Sequence, residues 1–159
     1  MYNQFNPGTI LPEQPNKTSG TNRWGWGMCQ IDRGRTGLVT RTVYDWKTNV
    51  DQMNATLTEK ASVHERFMGY YRSAYAGRPN WSDPELATTN VLGRSVTARD
   101  WSIMTLYNGT SGLESRVVSG HTIYPPVHFD STNGRWLFSP NANDYVRKVI
   151  QDANVNPEE

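Results

Sequence analysis

With 159 residues the chain has room for one domain and a single moderate core, and its length argues against two full domains. Hydrophobic residues make up 36% and mean hydropathy is −0.71, which is polar for a folded chain, yet 6 Trp, 8 Tyr and 4 Phe supply large faces to bury. A net charge of +1, from 16 Lys and Arg against 15 Asp and Glu without a basic run, argues against nucleic acid as a partner; no apolar stretch approaches a membrane span, and a single Cys excludes an internal disulfide or a Cys-rich metal site.

Residues 1–23 hold three Pro, two Gly and four Asn and read as irregular loop. They lack the basic and apolar regions of a secretory signal, so action outside a cell implies either another route of export or that this chain is a piece of a larger one. The next stretch, RWGWGMCQIDRG at 23–34, alternates Trp24 and Trp26 with Gly25 and Gly27. Glycine adds backbone entropy to the unfolded chain and packs nothing, so its use here points to close approach of main chain to a ligand. Cys29, with no helix-starting nucleophile motif around it, reads as a small buried hydrophobe rather than a catalytic thiol.

From Thr48 to Tyr75 the residues Val50, Met53, Leu57, Ala61, His64, Phe67, Met68, Tyr71 and Tyr75 recur at steps of three and four, predicting one long helix with a buried stripe and a satisfied core histidine at 64. Residues 77–95 read as loop with one helical turn at Asp83–Ala87. Thr97 is placed to cap a helix through Trp101, Met104 and Tyr107 that stops at Asn108-Gly109. Residues 120–138, with Pro125-Pro126 and Asn133-Gly134, suggest a hairpin or ordered loop. Ser139-Pro140 then predicts the start of a last helix that buries Tyr145, Val146, Val149 and Ile150. His64, His121 and His128 show no paired spacing of metal ligands, and no cofactor motif is present.

Several of these pieces resemble one family in order and spacing. GWGMCQID (residues 25–32) resembles the G-x-G-L-M-Q-[IV]-D signature of goose-type lysozymes and soluble lytic transglycosylases. Asp45-Trp46-Lys47-Thr48-Asn49-Val50 resembles the D-x-x-x-N-[IV] lead into their long helix, and Leu106-Tyr107-Asn108-Gly109 with Gly112 resembles their A-x-Y-N-x-G helix end. Asp144-Tyr145-Val146-x-x-Val149 resembles the Tyr-Val pair of their closing helix. The likeness spans residues 24–151. It implies a mainly α, lysozyme-like α+β fold: a helical domain with a small hairpin or ordered-loop region, either the whole of 1–159 or the C-terminal part of a larger domain.

The implied activity is a muramidase, cleaving between N-acetylmuramic acid and N-acetylglucosamine without metal or cofactor. The implied setting is the bacterial periplasm or cell wall, reached as an endolysin, tail lysozyme or antibacterial toxin by a phage or secretion route. The implied partners are peptidoglycan glycan strands and an immunity or inhibitor protein. Such cleavage needs a general acid on the leaving oxygen, and an inverting enzyme adds a carboxylate that holds water. Asp32 matches the goose-type water-positioning Asp, although Asp32-Arg33-Gly34 also suits a plain turn. The acid is either Glu13, seventeen residues before Gln30, or a Glu upstream of Met1, because YNQFNP resembles the residues just after the catalytic Glu-Ser pair of transglycosylases; a site using neither is the third option. Trp24, Trp26, Gly27, Gln30, Tyr107 and Asn108 are the expected glycan contacts. A lytic transglycosylase, or a glycan-binding domain that has lost its acid, are the alternatives.

Overall fold

A computed structural model describes residues 46–155 and, before them, three short strands: β1 (Gln14–Pro15), β2 (Trp24–Trp26) and β3 (Ile31–Asp32). The chain divides into two compact units, Met1–Thr56 and Leu57–Glu159.

In the first unit the three strands form an antiparallel sheet in the order β1-β2-β3. Gly25 pairs with Gln14 on one side and with Asp32 on the other, and Trp26 pairs with Ile31. The sequence reading of 1–23 as loop is therefore corrected at Gln14–Pro15. A two-residue strand ending in Pro is one that only an edge tolerates, since Pro cannot donate to a ladder.

Helix α1 (Trp46–Tyr75) begins two residues before the start that periodicity predicts and ends where Gly77 takes φ +81°. In the second unit its stripe buries His64, Met68 and Tyr71. A 3-10 turn (Pro84–Leu86) comes next, capped by the Asp83 carboxylate, which accepts the Glu85 N–H at 3.0 Å, in agreement with the turn predicted at 83–87.

Residues 77–83 are loop, as expected, but beyond the 3-10 turn the segment is strand. β4 (Thr88–Val91) and β5 (Arg94–Thr97) form a hairpin whose two loop residues, Leu92 and Gly93, both have positive φ. Such a loop normally uses Asn-Gly, and Leu-Gly gives the sequence no such mark. Thr97 then caps α2 (Ala98–Tyr107): its hydroxyl accepts the Asp100 N–H at 3.1 Å and donates to the Asp100 carboxylate at 2.8 Å.

The hairpin expected at 120–138 is the one formed by Val127–Asp130 and Arg135–Phe138, and a second one begins before that region. β6 (Arg116–Val118) and β7 (His121–Ile123) turn through Ser119-Gly120, and β8 (Val127–Asp130) and β9 (Arg135–Phe138) turn through 131–134, braced by the Asp130 carboxylate, which accepts the Thr132 and Asn133 N–H groups. The last helix, α3 (Tyr145–Val155), starts later than Ser139-Pro140 predicts. The Ser139 N–H donates to Pro126 O at 2.7 Å, and the Asn141 side-chain carbonyl accepts the Asn143 and Tyr145 N–H groups in the capping place expected of Ser139.

Among the described residues three helices with antiparallel hairpins make an α+β fold, so "mainly α" understates the strand content. The core of the second unit gathers Met68, Tyr71, Val96, Trp101, Val127, Phe129, Trp136 and Val146. Aromatic contacts dominate it: Trp136 lies edge-on to Tyr71 and Trp81 at 5.3 and 5.6 Å, and Trp81 meets Phe129 at 5.0 Å. Among the described residues no helix is long and apolar enough to cross a membrane.

Candidate functional site

The second unit carries an open cleft of about 560 Å³. Its first wall is a strip of α1, Lys60, Val63, Arg66, Phe67 and Tyr70, one helical face over from the buried stripe. The end of α2 adds Leu106, Gly109 and Thr110, and β7 with the residue after it adds His121 to Tyr124. Leu106 and Ile123 are buried and make an apolar floor, whereas Tyr124 is 48% exposed and presents a ring to solvent.

The hairpin position follows from its local chemistry. Ser119 and Gly120, both at positive φ, close the β6–β7 turn; the Ser119 hydroxyl meets that of Ser73 on α1 at 3.4 Å, and His121 stacks on Tyr70 with centroids 4.1 Å apart and planes 11° from parallel. Pro125 and Pro126, both buried, fix the backbone immediately after Tyr124.

The Leu106-Tyr107-Asn108-Gly109 segment reaches the cleft because α2 stops there. Asn108 closes the helix and Gly109 takes φ +104°. Asn141, buried in the loop before α3, donates its amide N–H groups to Thr105 O at 3.3 Å, to the Asn108 side-chain carbonyl at 3.1 Å and to Gly109 O at 3.4 Å. Asn143 donates to the same Asn108 oxygen at 2.9 Å, and Tyr107 stacks on Tyr145 with centroids 6.3 Å apart. Helix carbonyls that lack an internal partner are thus met by side chains from the far end of the chain.

Charge in the cleft is positive. Among the described residues Lys60 and Arg66 line it and no Asp or Glu does. Lys60 pairs with Glu59 at 3.3 Å on the exposed side of the helix.

Two further histidines lie in the protein interior. His64 is 4% exposed, its Nδ1 has no partner among the described residues, and burial holds its pKa below the ordinary 6.5, helped by Arg99 and Arg72 and opposed by Glu65 and Asp100. The expectation of a core histidine agrees with this burial. His128 is also held below 6.5, mainly by burial, with the Ser139 hydroxyl at 3.5 Å from its Nδ1, too long for a strong bond.

Of the residues named from sequence, Gly109's neighbours Tyr107 and Asn108 are placed at the helix end beside the cleft. Trp24, Trp26 and Asp32 lie on strands β2 and β3, where only the backbone is described. Glu13, Gly27, Cys29 and Gln30 lie outside the described residues. Sequence reasoning missed Lys60, Arg66, Tyr70 and Tyr124. The α1 members are discoverable as a second strip at steps of three and four, but Tyr124 carries no local signal. Comparison of the chain with family models, with curated proteins and with solved structures gives no match.

Proposed function

We propose that the chain is a peptidoglycan-directed domain of lysozyme type, cleaving the glycan between N-acetylmuramic acid and N-acetylglucosamine. The observation that carries this reading is that Leu106 and Gly109, part of the segment on which the family resemblance rests, line a cleft together with the aromatic faces of Tyr70, His121 and Tyr124. Flat rings stack on sugar faces, and glycine lets main chain come close to an N-acetyl arm. Glu13 is the candidate general acid within this chain and Asp32 the candidate water-positioning base.

The test is turbidity clearing of purified peptidoglycan. Clearing by the parent chain and its loss in Glu13→Gln by about two to four orders of magnitude, with the fold intact, supports the reading. Equal rates remove Glu13 from the site. Asp32→Asn is expected to lower activity by more than about tenfold, the low end of what positioned acid–base groups contribute. Mass spectrometry of the products separates hydrolysis, which leaves reducing-end muramic acid, from transglycosylation, which leaves 1,6-anhydro ends. A second reading, a glycan-binding domain without chemistry, is favoured by the lack of any Asp or Glu lining the cleft among the described residues. Its mark is retention on insoluble peptidoglycan with no clearing.

A further inference from the structure

The cleft is cationic in a way that neutral sugar binding does not require. Positions 60 and 66 lie about 9 Å apart along α1 at 1.5 Å per residue and about 120° apart around it, so they stand at opposite margins of the helical wall. Both line the same cleft as Tyr70, His121 and Tyr124. Glu59, the partner of Lys60, is 53% exposed, and an ion pair so open to water holds an ammonium too weakly to keep it from a better acceptor. Arg66 forms no ion pair among the described residues. Hydroxyls and N-acetyl groups gain little from this charge, whereas a carboxylate gains charge-assisted hydrogen bonds and long-range attraction into the cleft.

We propose that the cleft selects acidic glycans: Lys60 and Arg66 take a carboxylate while Tyr124 and the stacked Tyr70–His121 pair meet the sugar faces. The inference rests on the glycan reading above and narrows its substrate class to peptide-bearing strands, whose stem peptides supply the carboxylate.

Calorimetric titration of the full chain with three probes tests it: a disaccharide-peptide muropeptide, the neutral tetramer of N-acetylglucosamine, and single-stranded oligothymidylate as a polyanion without N-acetyl sugars. The muropeptide is expected to bind about tenfold more tightly than the tetramer at low salt, with the gap closing as salt rises. Lys60→Gln and Arg66→Gln should each weaken the muropeptide about threefold and the tetramer by less, because exposed pairs are individually modest. Tyr124→Ala should weaken both saccharides. Equal affinity for the two saccharides, unmoved by salt or by the charge variants, overturns the acidic-glycan proposal while glycan binding stands. Absence of binding to either saccharide removes both readings. Oligothymidylate binding as tight as the muropeptide overturns the proposal in favour of a general polyanion site.

Discussion

Gly112 and Gly77 have nearly the same backbone, φ +84° and +81°, but different surroundings. A Cβ at 112 would lie 2.7 Å from the Ala142 nitrogen, which itself donates to Ser111 O at 2.7 Å, whereas a Cβ at 77 would meet nothing within 4 Å. Gly77→Ala is therefore expected to cost about 1 kcal/mol, the strain of a left-handed alanine alone. Gly112→Ala should cost about 2–3 kcal/mol, because backbone must also move. Urea melts of the two variants decide it, and equal losses would mean that the Ala142 loop gives way freely. The same loop explains why single residues are only partly legible in the sequence. Asn108 before Gly109 announces a helix stop, which it is, but its partners Asn141 and Asn143 stand 33 and 35 residues away and leave no local trace. His121 invites a test for metal spacing, and its actual neighbour, Tyr70, lies on another element.

Elements that announce themselves by periodicity and caps are legible: α2 agrees with the sequence at both ends and α1 at its C-terminal end, because a stripe, Thr97 and Asn108-Gly109 are all local signals. The β4–β5 hairpin escapes sequence reading since its turn hides behind an atypical residue. Leu92, at φ +50° and 44% exposed, packs little side chain in return for a conformation branched and bulky residues resist. Its carbonyl accepts from the Asn154 amide at 3.2 Å, and Asn154 in turn accepts from Arg94 at 2.6 Å, so α3 holds the turn in place. Leu92→Asn keeps that backbone contact and relieves the strain. It is expected to stabilise the protein by up to about 1 kcal/mol, read as a raised thermal midpoint. A lowered midpoint would show that the Leu92 side chain contributes more than its exposure suggests. The late start of α3 has a related cause: Ser139-Pro140 looks like a cap, but Ser139 is held by Pro126 O and Asn141 takes over capping.

At the scale of the whole molecule, His64 and His128 couple stability to acid. Burial keeps both rings neutral in the folded protein below the 6.5 of a free imidazole, so as pH falls the unfolded chain takes up protons first. Stability is then undiminished above pH 6.5 and declines as pH drops through that value toward the folded pKa values. Replacing His64 by Leu removes one of these titrations together with a buried nitrogen that has no partner among the described residues. Thermal midpoints of His64→Leu between pH 6.5 and 5 should fall less steeply than those of the parent, and matching slopes would show that His64 does not titrate with unfolding. The aromatic core lends such measurements an optical handle. Trp81 and Trp136 stand 5.6 Å apart with planes at 68°, close enough for their excited states to mix in a fixed, handed arrangement. Their coupled transition should give a circular-dichroism couplet that vanishes when the core opens. None of the described residues that line the cleft is a tryptophan, so this couplet reports folding and stays silent to cleft occupancy, which lets melting and ligand titration be followed separately in one unlabelled sample.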